Sequence, residues 1–273
     1  MHFFAALIVL HILFAINPQI FVSCPWARLH VIIEKQQKGG VPVELKVIAR
    51  IHNDFPEKFG LPRQSGLVES VRGRIVFEKP YRDPNALRGL EDFSHLWLIW
   101  GFSLSEWKQD WSPTVRPPRL GGNKRMGVFA TRAPYRPNPM GLSAVRIERI
   151  DFDTPEGPII HVLGADLMDG TPIYDVKPYL PYADSHPDAK GGFGEKVLGD
   201  NLRVTVPEEL LSLIPEDKRQ ALIDILQGDP RPHYHDDGRE YGVSYSGMNV
   251  RFTVQGDLLT VCAITPLHKG EHV

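Results

Sequence analysis

Cysteine is nearly absent from this chain. Its 273 residues include two, Cys24 and Cys262, far apart in sequence, which excludes a disulfide-stapled secreted scaffold and a four-cysteine zinc site and favours a reducing compartment. Long helical periodicity is missing too: with 24 glycines and 24 prolines, the candidate helices are short and a helical bundle is disfavoured. Net charge is close to nil, at −2, so no global field draws a polyanion. Cofactor fingerprints fail on spacing. No glycine triplet of the dinucleotide-binding type follows a strand. Gly191-Gly192-Phe193-Gly194-Glu195-Lys196 lacks the spacer and the following Ser or Thr of a phosphate loop, and no Gly-x-Ser-x-Gly elbow occurs. His233 and His235, beside Asp236 and Asp237, form a His-x-His pair without distant partners, the pattern of a polar surface loop, so no metal is expected.

What is present begins with apolar content. Hydrophobic residues make up 42% of the chain, and a chain of this length buries roughly 75% of its unfolded surface without staples. Residues 3–22 are almost wholly apolar, broken by His11 and by Asn17, Pro18 and Gln19, yet the first basic residue, Arg28, follows the run instead of preceding it. That leaves two readings, a signal-like segment or a start placed too far upstream of a protein that begins near residues 41–45. No membrane partner is expected unless the apolar segment is real.

From Val43 onward, short apolar runs are punctuated by Gly and Pro, the pattern of an all-β sandwich or barrel. Strands are expected at 44–52, 73–78, 95–103, 126–131, 142–152 and 158–164. The fifth alternates Val145 and Ile147 with Arg146 and Glu148, while residues 95–102 form a continuous apolar run expected to be covered on both faces. Only short helical turns fit near 85–92 and 104–108. Residues 181–198 read as a linker, followed by a small α+β domain over 199–270: a strand at 201–206, two helices split by Pro215 with Leu222, Ile225 and Leu226 on one face, and a hairpin turning at 255–257.

One stretch lacks acid altogether. Between Asp110 and Glu148 there is no carboxylate, whereas Arg116, Arg119, Lys124, Arg125, Arg132, Arg136 and Arg146 all fall there. Six prolines and four glycines over residues 111–143 fix an irregular backbone that presents these cations from a rigid loop. Such a loop is either an anion-binding face or a solvated basic loop paired with carboxylates elsewhere.

The segments Pro62-Arg63-Gln64-Ser65-Gly66-Leu67, Phe93-Ser94-His95-Leu96-Trp97, Arg116-Pro117-Pro118-Arg119-Leu120-Gly121-Gly122-Asn123, Gly127-Val128-Phe129-Ala130-Thr131-Arg132, Arg136-Pro137-Asn138-Pro139 and Asp166-Leu167-Met168-Asp169-Gly170-Thr171-Pro172 resemble, in order and spacing, the TsaA/TrmO family of tRNA methyltransferases. Asp175-Val176-Lys177-Pro178-Tyr179 continues the resemblance, and Asp229-Pro230-Arg231-Pro232-His233-Tyr234 with Asn249-Val250-Arg251-Phe252 extends it to bacterial members with a C-terminal domain. It covers roughly residues 44–265. The resemblance implies a mainly β fold: a single-sheeted β-barrel over 43–180 that binds S-adenosylmethionine, followed by the α+β domain. It also implies a cytoplasmic homodimer that methylates N6 of threonylcarbamoyladenosine at tRNA position 37. The competing class is a non-catalytic RNA-binding or cofactor-sensing barrel.

Residue roles follow from the same match. Arg63, Gln64, Ser65, Ser103, Leu104, Arg132, Leu142, Asp166, Leu167, Met168 and Asp169 fall on the family's cofactor-contact regions, although Asp-Gly-Thr-Pro is equally a plain turn. The target nitrogen belongs to a urea-like group with a delocalised lone pair, so alignment and proton removal must carry catalysis. Asp169 is the candidate base or orienter, its competing role being a cofactor acceptor. Arg136 or Lys177 suits the threonyl carboxylate, a guanidinium offering the bidentate match. The tRNA phosphates fall to Arg116, Arg119, Lys124 and Arg125, with Lys177, Arg231 and Tyr234 as further candidates.

Overall fold

Six strands close into a barrel in the order β1-β2-β7-β6-β3-β8, in a computed structural model that describes residues 44–102, 111–117, 120, 123–195, 201–231 and 238–267. The strands are β1 Ala49–Asn53, β2 Arg72–Phe77, β3 His95–Gly101, β6 Met140–Asp151, β7 Ile159–Leu163 and β8 Pro172–Pro178, with two short strands, β4 Thr114–Val115 and β5 Met126–Gly127, paired to each other outside the barrel. Every neighbouring barrel pair is antiparallel. Alternation decides what fills the interior: Ala49 and Ile51, Ile75, Leu96 and Leu98, Val145, Ile160 and Val162, and Ile173 all point inward and are buried. Each such Val, Leu or Ile side chain contributes about 1.5–3 kcal/mol.

The strand expectations hold for the barrel staves, except that the first begins at Ala49 and not at residue 44, and three further corrections apply. The segment at 126–131 is strand only at Met126–Gly127 and then turns as a 3-10 helix over Val128–Ala130, closed by the Thr131 N–H and hydroxyl, which donate to Val128 O at 3.1 and 2.9 Å. The apolar run at 95–101 is not covered equally on both faces. Leu96 and Leu98 are fully buried while Trp97 and Ile99 are partly exposed, since on the outer wall Trp97 meets only Tyr179 and Asp184 among the described residues. Finally, β8 closes the barrel although prolines bracket it. Its Pro172 and Pro178 occupy the strand's two ends, where a missing N–H costs least.

The C-terminal elements are β9 Arg203–Thr205, α2 Glu208–Leu211, α3 Glu216–Gln227, β10 Glu240–Tyr245, β11 Met248–Gln255 and β12 Leu258–Pro266, preceded by the single turn α1 Pro181–Asp184. The sheet order is β10-β11-β12-β9, with β9 parallel to β12. Glu216 and Asp217 occupy the first turn of α3, where acids suit the helix dipole. Ala221, Leu222, Ile225 and Leu226 form its buried face.

The described residues from Lys46 onward form one compact unit, and the segment between β1 and β2 is what joins barrel to sheet. Phe55, Val68 and Val71 lie in the same apolar core as Leu222, Val243, Val250 and Phe252. Phe55 packs on Tyr245 with ring centroids 5.4 Å apart, and Lys218 Nζ donates to Asp54 Oδ1 at 2.6 Å. Gly60, at φ +89, runs so close to the sheet that a Cβ would sit 2.5 Å from Val243 Cγ1. Among the described residues, no helix is long and apolar enough to cross a membrane. The apolar segment at 3–22, Cys24 and the His233/His235 pair lie outside the described residues.

Candidate functional site

Antiparallel closure sends three connections to one end of the barrel. β1, β3 and β7 finish there and β2, β6 and β8 begin there, so the described residues of the connections 54–71, 102–139 and 164–171 surround a single mouth. These three connections carry nearly all of the residues that the sequence assigns to a cofactor.

The floor of the mouth is a buried polar relay. Trp100 reaches across the barrel end over Gly141, where any Cβ would strike the indole. Its Nε1 donates to Ser143 Oγ at 3.0 Å, and Ser143 Oγ donates to Asp166 Oδ1 at 2.6 Å. Ser143 is 1% exposed, so the hydroxyl has no water to fall back on. Burial pushes the Asp166 carboxyl above its ordinary pKa. The Ser143 hydroxyl, the backbone N–H groups of Asp166 and Ser65, and the charge of Arg132 offset part of that. Arg132 in turn donates to Gln64 Oε1, and Gln64 Nε2 donates to Arg63 O at 2.5 Å. Gln64, Ser65, Arg132 and Asp166 therefore converge, drawn from three separate connections.

Asp169 stands on the third connection and lines a pocket with His52, Asn53, Arg74 and His161. Its Oδ1 accepts the Asn53 backbone N–H at 3.1 Å and lies 3.2 Å from His52 Nδ1, while Oδ2 has no hydrogen bond among the described residues. The backbone around it is the tight turn that Asp-Gly-Thr-Pro suggests: Thr171 N donates to Met168 O and Gly170 N to Ile51 O, with Gly170 at φ +74. Leu167 is buried in the barrel core and its carbonyl accepts from Asn53 Nδ2 at 2.6 Å. Met168 is half-buried and Leu142 exposed beside Ser143.

The remaining candidates separate. Arg136 is fixed at the mouth by donation to Thr131 O at 3.0 Å and by the Phe129 ring, 6.0 Å from its guanidinium carbon. Arg116, Lys124 and Arg125 are exposed on the β4–β5 ribbon, and Arg125 reaches Thr114 Oγ1 at 3.4 Å. Lys177 is not at the mouth: it pairs across from Trp97 near the far end of β8 and binds Asp175 at 3.1 Å. Arg63 points away from Asp166, donating to the carbonyls of Asp229 and Arg231. Arg231 is only 12% exposed at its side chain and grips Asp229 with two nitrogens. These two arginines brace the first connection against the chain leaving α3. Ser103, Leu104, Arg119 and Tyr234 lie outside the described residues.

Comparison with known proteins gives the family. The family model described as the tRNA-methyltransferase O N-terminal domain matches residues 50–185, and that of the TrmO C-terminal domain matches residues 201–267. The chain belongs to the tRNA-methyltransferase O family. A relative from Escherichia coli K12, named tRNA (adenine(37)-N6)-methyltransferase, is 40% identical over 232 residues, covering 82% of this chain and 98% of the relative. A Pseudomonas aeruginosa protein whose name describes an S-adenosylmethionine-dependent methyltransferase is 38% identical over 75% of this chain and 90% of its own length. The crystal structure of TrmO from Pseudomonas aeruginosa superposes with a TM-score of 0.65 at 31% identity, over 82% of this chain and 100% of that one. Within this tRNA-methyltransferase O member, sequence reasoning missed Trp100 and Ser143. The signal was available: Ser143 is a polar residue in the inward phase of a strand whose next inward residue is Val145, and a buried hydroxyl demands partners.

Proposed function

We propose that the barrel mouth is the active site of an S-adenosylmethionine-dependent methyltransferase acting on N6 of the adenine at tRNA position 37, with the base carrying its threonylcarbamoyl group. The observation that carries this is the convergence of Asp166, Ser65, Gln64 and Arg132 over the Trp100–Ser143 floor. That donor set fits the cofactor. A desolvated carboxylate suits an ammonium or a ribose diol, Arg132 and Gln64 suit a carboxylate, and Leu142 offers apolar wall. When bound, S-adenosylmethionine supplies an electrophilic methyl group on a sulfonium.

The protein's own contribution is alignment and proton transfer. Asp166 and Arg132 hold the two ends of a zwitterion and so fix its position relative to the mouth. Arg136, held by Thr131 O and by Phe129, receives the threonyl carboxylate in bidentate fashion. Lys177, paired with Asp175 toward the other end of β8, is left to tRNA contact. Asp169 takes the N6 proton on its free Oδ2, while Asn53 and His52 hold Oδ1 and keep the carboxylate in one orientation. The exposed cations Arg116, Lys124 and Arg125, together with Arg119, neutralise tRNA phosphates. The enzyme works as a cytoplasmic homodimer, and the exposed Leu67 and Met140 beside the mouth are apolar surface that a second copy would cover.

The deciding experiment is methyl transfer from labelled cofactor to tRNA with and without the threonylcarbamoyl group. Transfer to the modified tRNA alone is expected; equal transfer to both would remove the threonylcarbamoyl requirement, and none to either would remove the function. Asp169→Asn should slow single-turnover transfer by about 10²-fold at saturating cofactor with little change in cofactor Kd. Asp166→Asn should do the reverse.

A further inference from the structure

Two large aromatic side chains stand in water beside the mouth. Phe129 is 69% and Trp111 46% exposed, and they face one another with ring centroids 5.6 Å apart and an interplanar angle of 33°. This is a built arrangement. The β4–β5 ribbon holds both rings: Thr114 pairs with Gly127 and Val115 with Met126. The Val128 N–H donates to Pro113 O at 2.9 Å, and Val128, next to Phe129, is buried at 1% exposure as the ribbon's anchor. Arg136 approaches Phe129 with its guanidinium carbon 6.0 Å from the ring centroid, a cation–π geometry.

The structure assigns this pair as a stacking platform for an unpaired RNA base, the nucleotide next to the one whose N6 is methylated. The assignment rests on the tRNA reading above and names the aromatic contact for it. Exposed neighbouring aromatics are an interaction surface, and the charge around them selects the occupant. Arg116, Lys124 and Arg125 project from the same ribbon, and no carboxylate occurs anywhere between Asp110 and Glu148. A second copy of the chain meeting this patch about a twofold axis would bring those cations against their own counterparts, an unfavourable juxtaposition. A single-stranded RNA loop brings what is missing: phosphates for the cations and a π-face for the rings. An adenine beside the anticodon becomes reachable only when it is splayed from its neighbours. A ring that takes over the lost stacking lowers the cost of splaying.

The test uses the full-length chain and an anticodon stem–loop RNA carrying 2-aminopurine at the nucleotide next to A37. With the wild-type protein, binding should change the probe's fluorescence as its base moves from RNA stack to protein stack. Phe129→Leu and Trp111→Leu should abolish that change and weaken RNA binding about tenfold or more, leaving the salt dependence of binding unaltered because no phosphate contact is lost. Phe129→Tyr should retain both. Unchanged fluorescence response and unchanged Kd in the two leucine variants, in a protein that still methylates tRNA, would overturn the platform and leave the enzyme reading intact. So would loss of a dimer in sedimentation with RNA binding preserved, which would make the pair a contact between copies. A wild-type protein that transfers no methyl group to tRNA would sink both readings together.

Discussion

Ser143→Ala removes one oxygen from the floor of the mouth and breaks two hydrogen bonds at once. Trp100 Nε1 loses its acceptor and Asp166 Oδ1 loses its donor, in a place where Ser143 is 1% exposed and water cannot substitute. A neutral bond is worth about 0.5–1.5 kcal/mol and one to a charged group about 1.5–3, so the expected loss is roughly 2–4 kcal/mol where Asp166 is ionised. For an ordered unit of this size that corresponds to a fall in Tm of about 5–15 °C. The loss depends on pH with a definite sign. Burial raises the Asp166 pKa above its unfolded value, so this group's contribution to stability is fully present below the unfolded pKa and is lost as pH rises through the folded one. Ser143 softens that loss, since its hydroxyl favours the ionised carboxylate. The variant should therefore be hurt more on the alkaline side of the Asp166 transition than on the acid side, where only neutral bonds are forfeited. Urea unfolding of wild type and variant at one pH below and one pH above the Asp166 transition measures this. An equal ΔΔG at the two pH values, or no destabilisation at either, would refute the relay.

Gly141→Ala forces a methyl group into the Trp100 indole and should cost about 1–3 kcal/mol by overpacking, with a shift in tryptophan emission as Nε1 leaves Ser143; a normal Tm and unshifted emission would contradict the placement of the ring. Phe55→Ala empties a fully buried site against Tyr245 and should cost about 3–5 kcal/mol, measured by thermal unfolding, with barrel and C-terminal sheet melting in separate transitions if this joint couples them. Lys124→Ala should make the salt slope of tRNA binding shallower by about one contact while leaving cofactor affinity unchanged. Arg132→Ala should weaken cofactor binding first, by calorimetry.

How much could be read without the fold depends on whether the cause is local. Strand alternation is local: Val145 and Ile147 against Arg146 and Glu148 declare the faces of β6, and the Leu259 and Val261 return declares β12. The acid-free, Pro-fixed basic segment is equally legible because composition alone gives its charge and stiffness. β8 and β10 escaped that reading. Proline brackets the first, and Glu240-Tyr241-Gly242 opens the second with no apolar run, so only pairing with β1, β3 and β11 makes them strands.

The sequence by itself determined that this is a β-rich, cysteine-poor protein with a cationic loop and a set of motifs that resemble one family. Only tertiary structure decided which of the motif residues meet. Antiparallel closure sends the ends of β1, β3 and β7 to one mouth, which unites Gln64 with Arg132 and Asp166 across a hundred residues of chain, and the same geometry carries Lys177 to the opposite end of its strand. Arg63 and Arg231 also brace the connection between barrel and sheet, Arg63 through Nη2 to the carbonyls of Asp229 and Arg231 and Arg231 through its pair with Asp229. Ser143 gains its meaning from Trp100 and Asp166, because a buried hydroxyl acquires a role from whatever the closed barrel places within hydrogen-bonding reach, and that reach is set by strand register, which no local pattern records.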